Sequence, residues 1–187
     1  MKNLLICVKF FFASVIITGL LYPLSITLIG QTFFKDQSNG SLAVKNGQVL
    51  GSSLIGQKFD QAKYFWGRPS ASDYNPIPSG ASNLSATSAD LEKIAVERAA
   101  KLVSAESVVG AKIPQDLIYA SGSGLDPDIS PDAALFQVER VSKARNLSRN
   151  TVTDLINKST RKMDFGIFGE PRVNVLQLNQ LLDSISK

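Results

Sequence analysis

FFFASVIITGLLYPLSITLIGQTFF, residues Phe10–Phe34, carries no charged side chain between Lys9 and Lys35. As helix this stretch is roughly 37 Å long at 1.5 Å per residue, against a hydrocarbon core of about 30 Å. It is long enough to span a bilayer with some tilt. Phe10, Ile17 and Ile29 represent its apolar surface, and Gly19 and Pro23 are the kink points that membrane helices tolerate. A cleavable signal peptide is the alternative. Its apolar region covers only about 7 to 15 residues and ends in small residues, whereas this segment runs on into Phe33 and Phe34. Cys7 is not preceded by the apolar region that a lipoprotein site needs. The reading is therefore a retained anchor on Phe10, Ile17, Pro23 and Ile29.

Flanking charge sets the orientation. Lys2, Lys9 and the terminal amine have no acid to offset them, while Lys35 is followed at once by Asp36. The excess of positive charge keeps the N-terminus in the cytoplasm. Residues 1–9 are then a cytoplasmic N-terminus, 10–34 a transmembrane helix in contact with the lipid bilayer, and 35–187 an extracytoplasmic domain. From Asp36 onward there are 17 basic and 16 acidic residues, so the domain is nearly neutral despite a whole-chain charge of +4. That balance argues against a nucleic-acid partner. Cys7 is the only cysteine, so the outer domain must rest on its core and not on disulfides. With no histidine in the chain, Ser-His-Asp and Cys-His triads, HExxH zinc sites and histidine proton shuttles are excluded. We expect no catalytic and no metal-ligating residues.

Beyond the span, Leu42–Lys45 and Gln48–Ser52 flank Asn46-Gly47, which supplies the two positive φ values of a type I′ hairpin turn. Residues 66–82 are rich in Gly, Pro, Ser and Asn and predict an irregular loop. A helix is predicted from Thr87 or Ser88 to about Ser107, its apolar stripe (Leu91, Ile94, Leu102) packing on a sheet. Leu117–Ala120 reads as a short buried strand. Ser130 and Pro131 open a helix that runs to the break at Asn146-Leu147-Ser148, and a further helix covers Thr151–Arg161. A strand at Arg172–Val175 and a closing helix with Leu178, Leu181, Leu182 and Ile185 complete the chain. Strands alternating with helices predict an α/β or α+β domain.

The glycine-rich stretch Ser121-Gly122-Ser123-Gly124 before a helix suggests a phosphate cradle, but Leu125 and Asp126 follow where a Walker motif needs Lys and Ser or Thr. Asp126, Asp128, Ser130 and Asp132 fall on alternate positions of a calcium loop, yet Pro131 stands at its glycine position and Gln137 at its glutamate. Turn hydrogen bonds and helix-dipole complementation account for these acids. Residues 138–161 have the outline of a helix-turn-helix, with eight basic and four acidic residues from Glu139 to Arg172, which leaves a membrane-tethered regulator as an alternative. Arg68 and Arg172, each beside a Pro or Gly turn, are placed to bond carbonyls or carboxylates, with Asp126 and Glu170 as partners.

Six segments in register resemble the KdpC family, the C subunits of the bacterial Kdp potassium-transporting P-type ATPase. They are Gly51-Ser52-Ser53-Leu54-Ile55-Gly56-Gln57, Tyr64-Phe65-Trp66-Gly67-Arg68-Pro69-Ser70, Ser79-Gly80 with Ser82-Asn83-Leu84, Ser121-Gly122-Ser123-Gly124-Leu125-Asp126-Pro127 with Ile129-Ser130-Pro131, Gln137 with Arg140-Val141, and Gly169-Glu170-Pro171-Arg172-Val173-Asn174-Val175-Leu176 with Leu178-Asn179. The chain departs from the family pattern at Ala81, Ser85 and Ala86, and at Asp128, where His is common.

The resemblance implies a non-catalytic subunit of an ATP-driven potassium uptake complex in the bacterial inner membrane. Its partners would be a channel-like potassium-translocating subunit and a P-type ATPase subunit. ATP and potassium would be handled by the complex, with no cofactor bound by this chain alone. Its role would lie in assembly and in raising the ATP affinity of the ATPase subunit as a catalytic chaperone. The alternative is a membrane-anchored extracytoplasmic binding module. Arg68, Ser121, Gly122, Ser123, Gly124, Asp126, Pro127, Gln137, Arg140, Glu170, Arg172 and Asn174 are the positions expected to meet a partner or to shape the loops that do.

Overall fold

The computed structural model describes residues 2–45, 47–108 and 110–185. Its contacts divide the chain into two units, Met1–Ser52 and Ser53–Lys187.

The first unit is helical from Lys2 to Phe33, as α1 (Lys2–Ile16), a π-helical segment Ile17–Leu21 and α2 (Tyr22–Phe33). It is long and apolar enough to cross a membrane, and begins eight residues before the charge-free stretch. Gly19 and Pro23 fall in and just after the π segment, where the Tyr22 N–H reaches back to the Ile17 carbonyl. Proline has no N–H and crowds the carbonyl four residues earlier, so a wider turn ahead of Pro23 is where such a helix departs from α geometry. The hydroxyls of Thr18, Ser25 and Thr32 donate to carbonyls one turn earlier, at 2.7, 2.8 and 2.7 Å. That satisfies them without water, as a lipid environment requires.

After the one-turn helix α3 (Lys35–Ser38), β1 (Leu42–Lys45) pairs antiparallel with β2 (Gln48–Ser52). These are the expected strand limits. Lys45 faces Gln48 and Gly47 has φ of +77°, while Asn46 lies outside the described residues.

The second unit is α+β. Its sheet is short and wholly antiparallel, in the order β3 (Asp128–Ile129), β5 (Arg172–Asn174), β4 (Thr160–Arg161). The helices are α4 (Ala89–Glu106), α5 (Pro131–Phe136), α6 (Val138–Arg145), α7 (Arg149–Ser159) and α8 (Val175–Ile185). Phe65, Leu102, Leu117, Ile129, Val141, Val152, Ile156, Val173, Leu178 and Leu182 meet in one core.

Local chemistry sets most of the boundaries. Ser130 caps α5 by accepting the Ala133 N–H at 3.0 Å, with Pro131 as its first residue. Asn146, at φ +54°, ends α6, and Ser148 accepts the Thr151 N–H at 3.1 Å to start α7 two residues earlier than expected.

Three expectations are corrected. Residues 117–120 are not a strand: Gln115–Leu117 is a 3₁₀ turn in which Leu117 is buried, and Tyr119 beyond it is exposed. A four-residue apolar run cannot distinguish a strand from a buried turn by periodicity. The main neighbour of α4 is the helix α6 and not a strand, and its Leu102 enters the common core. The helix expected from Ser130 to Arg145 is interrupted at Gln137, whose side chain turns inward.

Candidate functional site

Residues 62–70 form no regular element, yet Phe65 is fully buried. Buried backbone groups without a ladder must find other partners. Here amide side chains take the place of a neighbouring strand. Asn179, on the inner face of α8 beside Leu178, accepts the Phe65 N–H at 2.8 Å and donates to the Phe65 carbonyl at 3.0 Å. Gln137 does the same for Trp66, accepting at 2.8 Å and donating at 3.1 Å.

Arg140 completes the clamp. Its guanidinium donates to the carbonyls of Ala62 and Tyr64 at 2.7 and 2.8 Å, to Gln137 Oε1 at 2.6 Å and to Glu106 Oε1 at 2.7 Å. It also lies 4.2 Å from the centroid of the Trp66 ring. The Arg140–Glu106 side chains are 4% and 0% exposed, so both charges are removed from water. Burial raises the Glu106 carboxyl above the usual carboxylate range, although the bond from Arg140 works the other way. Arg145 extends the same pattern, donating to the Lys63 carbonyl at 2.7 Å and to Asp183 at 2.7 Å.

The Gly-rich loop lies beyond this segment. Ser121, itself buried, donates its N–H to the Pro69 carbonyl at 3.2 Å, and the Ser123 hydroxyl accepts the Leu125 N–H at 3.1 Å. Gly56 donates to the Leu125 carbonyl at 2.8 Å and passes so close that a Cβ there would lie 2.4 Å from the Asp126 carbonyl oxygen. Gly124 has φ of +71°, and a Cβ on it would meet the Gly80 carbonyl at 2.7 Å. Gly122 has open space around it. The Pro127 carbonyl accepts the Val175 N–H at 3.0 Å and joins the loop to the start of α8.

Two arginines fasten the loop from outside. Arg68 Nη1 bonds Asp126 Oδ2 at 2.9 Å, the expected pair, and Asp126 Oδ1 accepts the Asp128 N–H at 3.0 Å as a local turn. Arg172 uses a carboxylate that the sequence did not single out for it. Its carboxylate partners are Asp128 at 3.3 Å and Asp164 at 4.0 Å, and it meets Glu170 only through the backbone carbonyl at 3.5 Å. Asn174 donates to Asp128 Oδ1 at 3.1 Å and to the Ser53 carbonyl at 2.8 Å. Burial is the main cause of a raised Asp128 carboxyl, which these donors partly oppose.

Arg68, Asp126, Asp128, Glu170 and Arg172 thus line one open cleft of about 300 Å³, while Gln137 and Arg140 belong to the buried clamp. The acidic residues serve as turn and ion-pair partners. Among the described residues no group of three or more Asp, Glu, Cys or His side chains could hold a metal ion. The basic helices α6 and α7 do have a helix-turn-helix outline, but Arg140 and Arg145 turn inward and Arg149 pairs with Glu139.

A family model described as "KdpC: K+-transporting ATPase, c chain" matches residues 4–184. The chain belongs to the KdpC family. It is 49% identical over 189 residues to the potassium-transporting ATPase KdpC subunit of Paraburkholderia phytofirmans, covering 99% of this chain and 98% of that one. The corresponding subunit of Polynucleobacter asymbioticus is 47% identical, over 95% of each chain, and that of Methylococcus capsulatus 49%, over 91% of each.

As a KdpC chain it is an accessory subunit of the potassium-transporting ATPase, and its N-terminal helix suits a membrane subunit. The segments that carry the KdpC resemblance are those the clamp and loop contacts join. Asp128, the departure from the family's common His, is occupied by Arg172 and Asn174. Sequence reasoning missed Glu106, Asn179 and Arg145 as parts of this arrangement. Two left a signal: Glu106 is an acid in the last turn of α4, where the helix dipole disfavours it, and Asn179 is a polar residue among the buried leucines of α8.

Proposed function

We propose that this subunit acts by shape, as a rigid docking body that aids assembly of the potassium-transporting complex and raises the ATP affinity of its ATPase subunit from a distance. The observation that carries the reading is the use of the polar side chains. Gln137, Arg140, Asn179, Arg68 and Arg172 hold backbone and loops in place instead of converging on a common reacting atom. Such a body is non-catalytic and works through neighbours.

Flanking charge supports a cytoplasmic N-terminus, which puts the second unit on the outer surface, over the mouth of the channel-like subunit. From there it cannot touch cytosolic ATP. Its effect on nucleotide affinity is then a coupling free energy transmitted through the membrane subunits.

A reporter enzyme fused to the C-terminus tests the side. Activity outside only is the expected result, and activity in the cytoplasm alone would restore direct nucleotide contact. The KM for ATP of the complex, measured with and without this chain, tests the coupling: it should rise on removal, and an unchanged value would end the chaperone reading.

A further inference from the structure

Between β4 and β5 the chain turns through Met163-Asp164-Phe165-Gly166-Ile167-Phe168. Phe165 is 93% exposed, Ile167 75% and Phe168 66%, and Met163 is also exposed. Isolated apolar side chains on a surface need no explanation, but four exposed ones within six residues of one turn form a patch.

The backbone of this turn is closed on itself. Asp164 and Phe168 exchange both hydrogen bonds, at 2.9 and 3.0 Å, Gly166 donates to the Met163 carbonyl at 3.2 Å, and Ile167 to the Asp164 carbonyl at 3.2 Å. Its one acid, Asp164, is bonded by Arg161 at 3.0 Å and faces Arg172. A turn with four of its peptide N–H groups bonded internally and its acid paired leaves water at lower cost than an ordinary polar loop. In sequence the turn is flanked by Lys158, Arg161, Lys162 and Arg172, with Asp164 and Glu170 among them, while Arg172 is also paired with Asp128. An exposed apolar turn flanked in sequence by lysines and arginines complements an anionic lipid interface, where rings and aliphatic chains enter the acyl boundary and cations reach the headgroups.

We propose that the turn Met163–Phe168 is a second membrane contact, inserted at the interface of an anionic bilayer. The proposal rests on the anchored reading, because the helix from Lys2 to Phe33 tethers the second unit to that bilayer.

The test uses the full chain with Cys7→Ser, reconstituted in phosphatidylethanolamine and phosphatidylglycerol vesicles and carrying a nitroxide at Ile167→Cys. Collision rates with oxygen and with a water-soluble nickel chelate are compared with labels at Ile29→Cys, in the span, and Glu92→Cys, on the exposed face of α4. The expected result is an oxygen-to-nickel ratio at Ile167→Cys several-fold above that at Glu92→Cys. It should drop toward the Glu92→Cys value in phosphatidylcholine vesicles and on adding Phe165→Ser and Phe168→Ser. A lipid-shielded Ile29→Cys label with a nickel-accessible Ile167→Cys label would overturn this proposal alone. Shielding at Ile167→Cys that needs the other subunits would overturn it in favour of a protein partner. A nickel-accessible Ile29→Cys label would remove the anchored reading, and this proposal with it. The composition swap needs no altered turn, so folding of the serine variants does not limit the outcome.

Discussion

Gln137 makes both backbone hydrogen bonds of Trp66, accepting from its N–H at 2.8 Å and donating to its carbonyl at 3.1 Å. One side-chain amide thus does for an irregular segment what a neighbouring strand does in a sheet. Gln137→Leu keeps the bulk and removes both partners. Each orphaned buried group costs about 1 to 3 kcal/mol, so the variant should be less stable by about 2 to 6 kcal/mol. Denaturation of the full chain in mild detergent, followed by Trp66 fluorescence, checks this.

Arg140→Met leaves the Glu106 carboxyl buried beside its vacated partner. Breaking a buried pair from one side costs about 3 to 5 kcal/mol. The double variant Arg140→Met with Glu106→Leu should recover part of that loss, and the same denaturation measurement in a double-mutant cycle gives the coupling. Costs that simply add would mean that the 2.7 Å contact carries no energy.

Stability should depend on pH with a sign set by Glu106. Burial raises its carboxyl above 4.5 in the folded chain, so from that pH upward the folded state holds a proton the unfolded state has released. Stability therefore falls as pH rises, until Glu106 ionises in the folded state as well. Asp128, raised above 3.8 chiefly by burial, contributes in the same direction. Unfolding midpoints across this range should show the decline, and Glu106→Gln should flatten it. A stability that climbs with pH owing to Glu106 would contradict the assignment.

Much of this arrangement was legible beforehand because its signals are local. The hairpin around Gly47, the Ser130-Pro131 helix start, the stop at Asn146 and the Arg68–Asp126 pair each depend on residues whose chemistry acts at short range. The clamp was not legible, although Gln137 and Arg140 were singled out. The bonds from Gln137, Arg140 and Asn179 to the backbone of residues 62–66 join positions 71 to 114 apart, and no periodicity encodes which backbone an inward-turned side chain will meet. The choice between α/β and α+β was closed only by strand direction, since strands of two or three residues leave no readable pattern. Of the two acids expected to meet the arginines, Asp126 does so, whereas Glu170 bonds Arg172 through its backbone carbonyl and Asp128 is the carboxylate Arg172 reaches.

Gly56→Ala and Gly122→Ala separate close approach from mere flexibility. The first puts a methyl 2.4 Å from the Asp126 carbonyl oxygen, and the second meets nothing within 4 Å. Overpacking of this kind costs about 1 to 3 kcal/mol, so Gly56→Ala should lower the unfolding midpoint and Gly122→Ala should leave it nearly unchanged. Equal midpoints would show that the loop is not held against Gly56.

Arg172→Ala distinguishes a docking role from a merely structural one. Its partly exposed ion pairs are worth at most about 1 kcal/mol, so the chain should stay folded. Recovery of the assembled complex should nonetheless fall. Unchanged recovery would remove Arg172 from the docking surface.

Capture of the tagged full-length chain from native membranes in a mild detergent bears most directly on the claim that it works as a subunit through its neighbours. The channel-like subunit and the ATPase subunit should come with it in near-stoichiometric amounts. A chain recovered alone, from membranes where both larger proteins are present, would contradict the account.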